Sequence, residues 1–251
     1  ARKFYISIIN LIVYVNRLCF WAIYKHIITN WQSYFFKHII SQMDKKFPKQ
    51  IPVFPLSGVI YFPKTNLPLN IFEERYLDLV NDSFRSNKLM GMVQSKKKNS
   101  LVYKVGCLGK ISDYQETSDG RVLINLTGIT RFEIMKEVNN KKKYREFEVD
   151  YSKFHKDILN PEADTLTYDK INFMGKIKNF FEKNGLMINW KEFEKLDETQ
   201  KINTLSMIAP ISNEEKQKLL ETIGLNEKTK TLLNILEFYS YENLNEKETI
   251  Q

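Results

Sequence analysis

Apolar and polar positions follow two different periods along this chain, one on each side of Pro161. From Ile51 to Tyr151 they come in short runs or alternate, which is the two-residue period of β-strands. Ile51–Phe54 and Leu67–Phe72 are strands whose neighbouring Pro52, Pro55, Pro63 and Pro68 place them at strand ends or sheet edges. Glu73–Asn87 reads as a helix with Tyr76, Leu77, Val80 and Phe84 on one face. Leu89–Gln94 is a strand, and Ser95–Ser100 is a polar connection. Leu101–Tyr114 is a strand whose Gly106 and Gly109 suggest a bulge or close backbone approach. Ser118-Asp-Gly120 then signals a hairpin into Arg121–Thr127. Thr130–Val138 and Lys143–Tyr151 flank Asn139-Asn-Lys141. In the last of these, Phe147, Val149 and Tyr151 alternate with Glu146, Glu148 and Asp150, so one face is buried. Consecutive strands joined by tight turns predict an antiparallel barrel.

After Pro161 the period becomes helical. Leu166, Phe173, Met174, Ile177, Phe180 and Phe181 form a stripe ending near Asn184-Gly185. Asp197-Glu-Thr-Gln200 and Ser212-Asn-Glu-Glu215 both carry the capping-box pattern, and Pro210 separates the two helices. A last helix is expected from about Asn226 to Tyr241, with Leu232, Ile235, Leu236 and Tyr239 inward and a fraying tail behind it. The predicted class is α+β. Its parts are a 43–158 barrel, a 159–243 helical bundle of the same module and a 244–251 polar tail.

Charge changes the picture at one place. The formal net charge is +8, but residues 1–42 hold no Asp or Glu and supply five of those charges through Arg2, Lys3, Arg17, Lys25 and Lys37. From Met43 onward, 33 basic residues face 30 acidic ones. This hydrophobic, basic 1–42 segment also holds Trp21, Trp31, His26 and His38. Its apolar run Phe4–Val15 is interrupted at Asn16-Arg17, short of the roughly 20 residues a membrane span needs. No small-residue cleavage site follows it. Three readings stay open: an upstream extension foreign to the protein, a membrane-associated helix, or a packed helix.

Several chemistries lack their residues. Gly106-Cys-Leu-Gly109-Lys110 has neither the spacing nor the hydroxyl of a phosphate-binding loop. His155 is the only histidine after Met43 and reads as a surface residue. Without a second histidine, common metal and Ser-His arrangements are not available there. Glu73/Glu74 and Glu214/Glu215 fall in first helical turns, where the dipole accounts for them. Cys107 is expected to pack as a small apolar group, with a Cys19–Cys107 disulfide disfavoured. The triplets Lys96–Lys98 and Lys141–Lys143 are read as solvated loop tips rather than a nucleic-acid site. No cofactor, metal or catalytic residue is expected.

Ile51-Pro-Val-Phe-Pro-Leu-Ser-Gly-Val-Ile-Tyr-Phe-Pro63 and Leu67-Pro-Leu-Asn-Ile-Phe-Glu-Glu-Arg-Tyr76 resemble the opening of the Lon protease N-terminal, or substrate-binding, domain family. Val105-Gly106, Asp119-Gly-Arg121, Leu126-Thr-Gly-Ile-Thr-Arg-Phe132 and Ser212–Glu221 continue the resemblance, which spans about residues 50–240. Where the family usually has Pro between the Glu and Arg of Ile-Phe-Glu-x-Arg-Tyr, Glu74 stands. Both residues suit a first helical turn, so the fold should survive.

The resemblance implies a PUA-like β-barrel followed by a helical bundle, without the ATPase and Ser-Lys protease domains of full-length Lon. The motif positions are Phe72, Glu73, Arg75, Tyr76, Gly120, Arg121, Gly128, Arg131 and Phe132. They are read as structural, with direct partner contact as the alternative. Glu73 and Arg75 would pair, Phe72 and Tyr76 pack, Gly120 and Gly128 form positive-φ turns, and Arg121 and Arg131 bond carbonyls across the sheet.

By the same resemblance the module would be non-enzymatic. It would bind polypeptide clients or a Lon-type protease in protein quality control, through apolar patches and exposed edges. RNA binding is the alternative, disfavoured by the near-neutral core. Expected localisation is cytoplasmic, membrane-associated if residues 1–42 are native. A small homo-oligomer remains open.

Overall fold

The computed structural model describes residues 47–96, 101–158 and 169–248. The expectations for residues 1–42, including Cys19, and for Lys97, Lys98 and Leu166 lie outside these. Six strands form one sheet: β1 (Gln50–Leu56), β2 (Asn66–Ile71), β3 (Leu89–Gln94), β4 (Val105–Glu116), β5 (Val122–Val138) and β6 (Arg145–Asp150). Their order is β2-β5-β4-β3-β1-β6, and β6 also pairs with β5, so the sheet closes on itself and leaves β2 outside the ring. The sheet is mixed. β1 runs parallel to β3, while every other pairing is antiparallel.

Closure depends on the length of β5. Its 17 residues pair along one side with β4, and along the other first with β2 and then with β6. The sequence predicts a break in this strand at Gly128, with a positive φ there. In the fold the strand is continuous, and positive φ belongs to Gly120 at the β4–β5 turn, at 82°. Gly128 is needed for proximity instead. A Cβ on it would lie 2.2 Å from the carbonyl oxygen of Phe62, closer than any side chain tolerates.

Helix α1 (Glu74–Arg85) follows β2 and buries Tyr76, Leu79, Val80 and Ser83 against the barrel. This face is rotated from the expected one. Phe84 is 38% exposed and lies against Tyr114, with ring centres 4.8 Å apart. The barrel core is built from Phe54, Tyr61, Tyr76, Met90, Met92, Cys107, Leu126 and Tyr144. Cys107 is buried and free, and burial pushes its thiol well above the ordinary range.

A 3-10 turn (Ser152–Asp157) leads towards the helical lobe, which comprises α2 (Lys170–Lys183), α3 (Trp190–Phe193), α4 (Glu198–Ile208), α5 (Asn213–Glu221) and α6 (Leu225–Glu248). Both expected capping boxes are present. Asp197 exchanges hydrogen bonds with Gln200, and Ser212 with Glu215. Helix α6 runs seven residues past the expected end. Ile177, Phe181, Leu205, Leu219, Leu232 and Leu236 form a second core that also takes in Ile60, Phe62, Val105 and Phe154 from the barrel side. Each such side chain contributes roughly 1.5–3 kcal/mol on burial, so this shared cluster seats the lobe on the barrel.

Candidate functional site

Strand β2 pairs with β5 on one side only, among the described residues. Which backbone groups face outward follows from the register. Thr127 lies opposite Asn66 and Leu126 opposite Leu67, and the N–H of Gly128 donates to the carbonyl of Thr65 at 2.9 Å. Antiparallel pairs alternate between bonded and non-bonded. Leu67, Leu69 and Ile71 therefore bond β5, while Asn66, Pro68 and Asn70 turn their main-chain groups to the open edge. Pro68 has no N–H to donate, which agrees with this outward placement. The edge offers the N–H groups of Asn66 and Asn70 and three carbonyls, repeating at about 6.8 Å.

Side chains alternate in step with this pattern. Asn66, Pro68 and Asn70 are exposed, whereas Leu67 and Leu69 are half-buried and pack against the barrel core. The core is thus incompletely covered beneath β2. Phe72, which the sequence reading packed inside, is 65% exposed at the end of this strand because the chain turns there into α1. Leu123, opposite Asn70 on β5, is 40% exposed. An open main-chain edge, half-covered leucines and an exposed phenylalanine therefore lie along one strand. The Asn66 carboxamide oxygen accepts from the Thr127 hydroxyl at 2.9 Å, which steadies the strand's start.

The motif positions separate into two groups. Continuing the β2–β5 register brings Phe72 beside Arg121, with Gly120 in the adjoining turn. Arg121 pairs with Asp119 at 3.0 Å instead of bonding a carbonyl across the sheet. A hydrogen bond from Thr117, with a smaller one from the Arg121 N–H, holds the Asp119 carboxyl below the usual range. Glu73 accepts two hydrogen bonds from Arg75, at 2.7 and 3.0 Å, as the sequence suggested. The Arg75 guanidinium covers the Tyr76 ring at 4.5 Å, and Tyr76 meets Phe54 edge-on at 4.2 Å.

Gly128, Arg131 and Phe132 lie elsewhere, towards the helical lobe, and Phe132 is fully buried. Arg131 does not bridge the sheet. Its Nε and Nη2 donate to Asp157 at 2.9 and 2.7 Å, and its Nη1 donates to the carbonyls of Leu220 and Thr222 at 2.8 and 2.5 Å. This arginine ties β5 to the end of α5, a link the sequence reading did not foresee. Beside it stands Lys228, only 4% exposed, whose pKa is lowered to about 7 by burial first and the Arg131 charge second. The sequence did carry a signal for Lys228. It precedes Leu232, Ile235 and Leu236 on the apolar stripe of α6, where a lysine is out of place.

The lysine tips are less free than expected. Lys142 pairs with Glu146 at 2.8 Å, and Lys143 pairs with Glu74 and with Asp78. A cleft of about 270 Å³ lined by Arg75, Tyr76, Lys143, Tyr144 and Arg145 therefore has its cations partnered by Glu73, Glu74, Asp78 and Glu137. His155 is half-buried, with its Nδ1 3.0 Å from the Ser152 carbonyl. Among the described residues no cluster of His, Cys, Asp and Glu could hold a metal, and no helix is long and apolar enough to cross a membrane.

Comparison with known proteins fits this architecture. Residues 50–237 match the family model of the ATP-dependent protease La (LON) substrate-binding domain. The chain is 24% identical over 193 residues to Lon protease from Dictyoglomus thermophilum, covering 72% of this chain and 23% of that protein. It is 25% identical over 198 residues to Lon protease from Buchnera aphidicola, covering 75% and 25%. The chain thus spans about a quarter of these relatives' length. Among solved structures, the Lon N-terminal domain protein from Xanthomonas campestris shares its fold at a TM-score of 0.53 and 20% identity, covering 74% of this chain and 97% of that one. The N-terminal domain of Mycobacterium avium complex Lon protease does so at 0.55 and 17%, covering 75% and 98%. With residues 50–237 matched by this one domain model, the chain belongs to the LON substrate-binding domain family.

Proposed function

We propose that this chain is a non-enzymatic binding module that holds extended polypeptide segments, from clients or from a Lon-type protease, in protein quality control. The observation that carries this reading is the open edge of β2. Main-chain pairing to an edge strand gives affinity that is nearly independent of sequence, and alternate side chains add selectivity. An added strand would bond the outward groups of Asn66, Pro68 and Asn70, and set every second side chain over Leu67 and Leu69. That arrangement suits segments rich in apolar residues, such as unfolded chains expose. The paired state of Lys142 and Lys143 weighs against the RNA reading.

The test is amide hydrogen exchange on the whole chain with an extended apolar peptide. Protection should grow at Asn66 and Asn70, and a variant Asn70→Pro, which removes one edge donor as Pro68 already does, should bind more weakly while melting like the parent. Peptide-induced protection confined to residues away from β2 overturns the reading.

A further inference from the structure

The contact between barrel and helical lobe forms a small pocket of about 40 Å³, partly open to solvent, with Lys64, Arg131, Lys156, Asp157, Thr199 and Lys228 on its wall. The charges on this wall do not balance, with Lys64, Arg131, Lys156 and Lys228 around the one carboxylate of Asp157. Arg131 and Asp157 neutralise each other, with both Asp157 oxygens committed to that arginine. Lys64 has its own partner in Asp197, at 3.1 Å. Lys228 has no carboxylate. Its Nζ donates to Asn203 Oδ1 at 2.8 Å and stands 5.3 Å from the centre of the Phe62 ring. An ammonium carries three hydrogens, so two are left for the cavity. Asn203 cannot turn away to relieve this, because its Nδ2 donates to the Pro63 carbonyl at 2.9 Å.

Two further elements border the same space. Thr199, at the start of α4, is on the wall. Helix α6 begins at Leu225, and Gly224 before it has no side chain to cap the first-turn N–H groups. The positive end of a 24-residue helix and a buried ammonium thus meet at one small cavity whose single carboxylate is already spent. A buried cation without a counter-charge is costly, and an anion in the cavity removes that cost.

We propose that this cavity is a binding site for one small monoanion, of halide or carboxylate size, held by the Lys228 ammonium, the Thr199 hydroxyl and the first turn of α6. Its inner volume of about 40 Å³ suits an ion of that size. Two sources share the chemistry, namely free ions and the carboxylate end of a polypeptide. The site does not depend on the β2 edge, so either can fail alone.

The experiment follows the melting temperature of the full chain during bromide and formate titrations at constant ionic strength and about pH 6, where Lys228 keeps its proton, alongside Lys228→Met and Thr199→Val. The parent should show a saturable rise of about 2–4 °C, absent in Lys228→Met and reduced in Thr199→Val. Crystals grown with bromide should give an anomalous peak within hydrogen-bonding reach of Lys228 Nζ, which decides the matter if Lys228→Met does not fold. Parallel salt curves for parent and Lys228→Met overturn the proposal, as does a crystal peak with no saturable effect in solution. A peptide with a free C-terminal carboxylate is then compared with its amidated twin. Loss of the bromide shift with the free acid alone assigns the site to chain ends, and persistence with both assigns it to the free ion.

Discussion

The junction beneath the helical lobe and the edge of β2 treat polar groups in opposite ways. At the junction, Arg131 is 4% exposed and each of its guanidinium nitrogens has an acceptor, Nε and Nη2 on Asp157 and Nη1 on the carbonyls of Leu220 and Thr222 at the end of α5. At the edge, the main-chain groups of Asn66, Pro68 and Asn70 face outward, with no strand against them among the described residues. Water satisfies the second set at little cost, whereas nothing but protein could satisfy the first. One region spends its hydrogen bonds on holding two lobes together, and the other keeps them for a visitor. Lys228 is the exception inside, being buried with its charge unmatched.

The sharpest way to break this contrast is Asp157→Ala. It leaves the Arg131 charge buried and alone, and stability in urea should fall by about 3–5 kcal/mol. Replacing Arg131 and Asp157 together by apolar residues should recover most of that loss, as expected for a pair that gives specificity more than strength.

Lys228 produces an effect of similar kind with pH as the variable. Its folded pKa of about 7 lies below the ordinary lysine range, so between those values the unfolded chain binds more protons than the folded one. Stability should therefore rise as pH rises above 7 and be flat below it, by up to about 4 kcal/mol over the whole window. Arg131, Asp157 and Cys107 face the same ammonium. The Cys107 thiol, raised by burial, subtracts stability above about pH 8.5, so the comparison of parent with Lys228→Met belongs between about pH 6 and 8.5. In that range the variant should lack the slope.

Gly128→Ala should cost about 1–3 kcal/mol in a denaturant titration, because its methyl must displace the Phe62 backbone. At the open edge the effect should nearly vanish. Asn70→Lys is expected to change stability by less than about 0.5 kcal/mol while weakening peptide capture, which hydrogen exchange would report. A large loss of stability there would mean that the edge is structural, and the contrast would collapse.

What the sequence made legible was local. The capping boxes at Asp197 and Ser212 are written within four residues each, and both formed. The β-then-α order followed from a change of period at Pro161. Pro68 agrees with the edge position of β2, whereas Pro52 and Pro55, for which strand ends or edges are expected alike, lie inside β1 between β3 and β6. What stayed hidden was long-range. The β1–β3 pairing is parallel because β2 and α1 intervene, and no short pattern records that. The burial of Phe84 was overestimated because a helical stripe fixes a period more firmly than a phase. Arg131 resembles any sheet arginine until the end of α5, 89 and 91 residues later, brings the carbonyls of Leu220 and Thr222 to it.

The close approach at Gly128 also bears on how the chain avoids folding wrongly. Strand β5 touches β2, β4 and β6 along 17 residues, and a slip by one position would exchange its inner and outer faces throughout. Such a slip would bring Thr127 or Ile129 to the notch beside the Phe62 carbonyl, and both carry a β-branched side chain that the notch cannot accept. Only one alignment passes. A single missing methyl thus disfavours misaligned registers of the longest described strand against the Phe62 backbone.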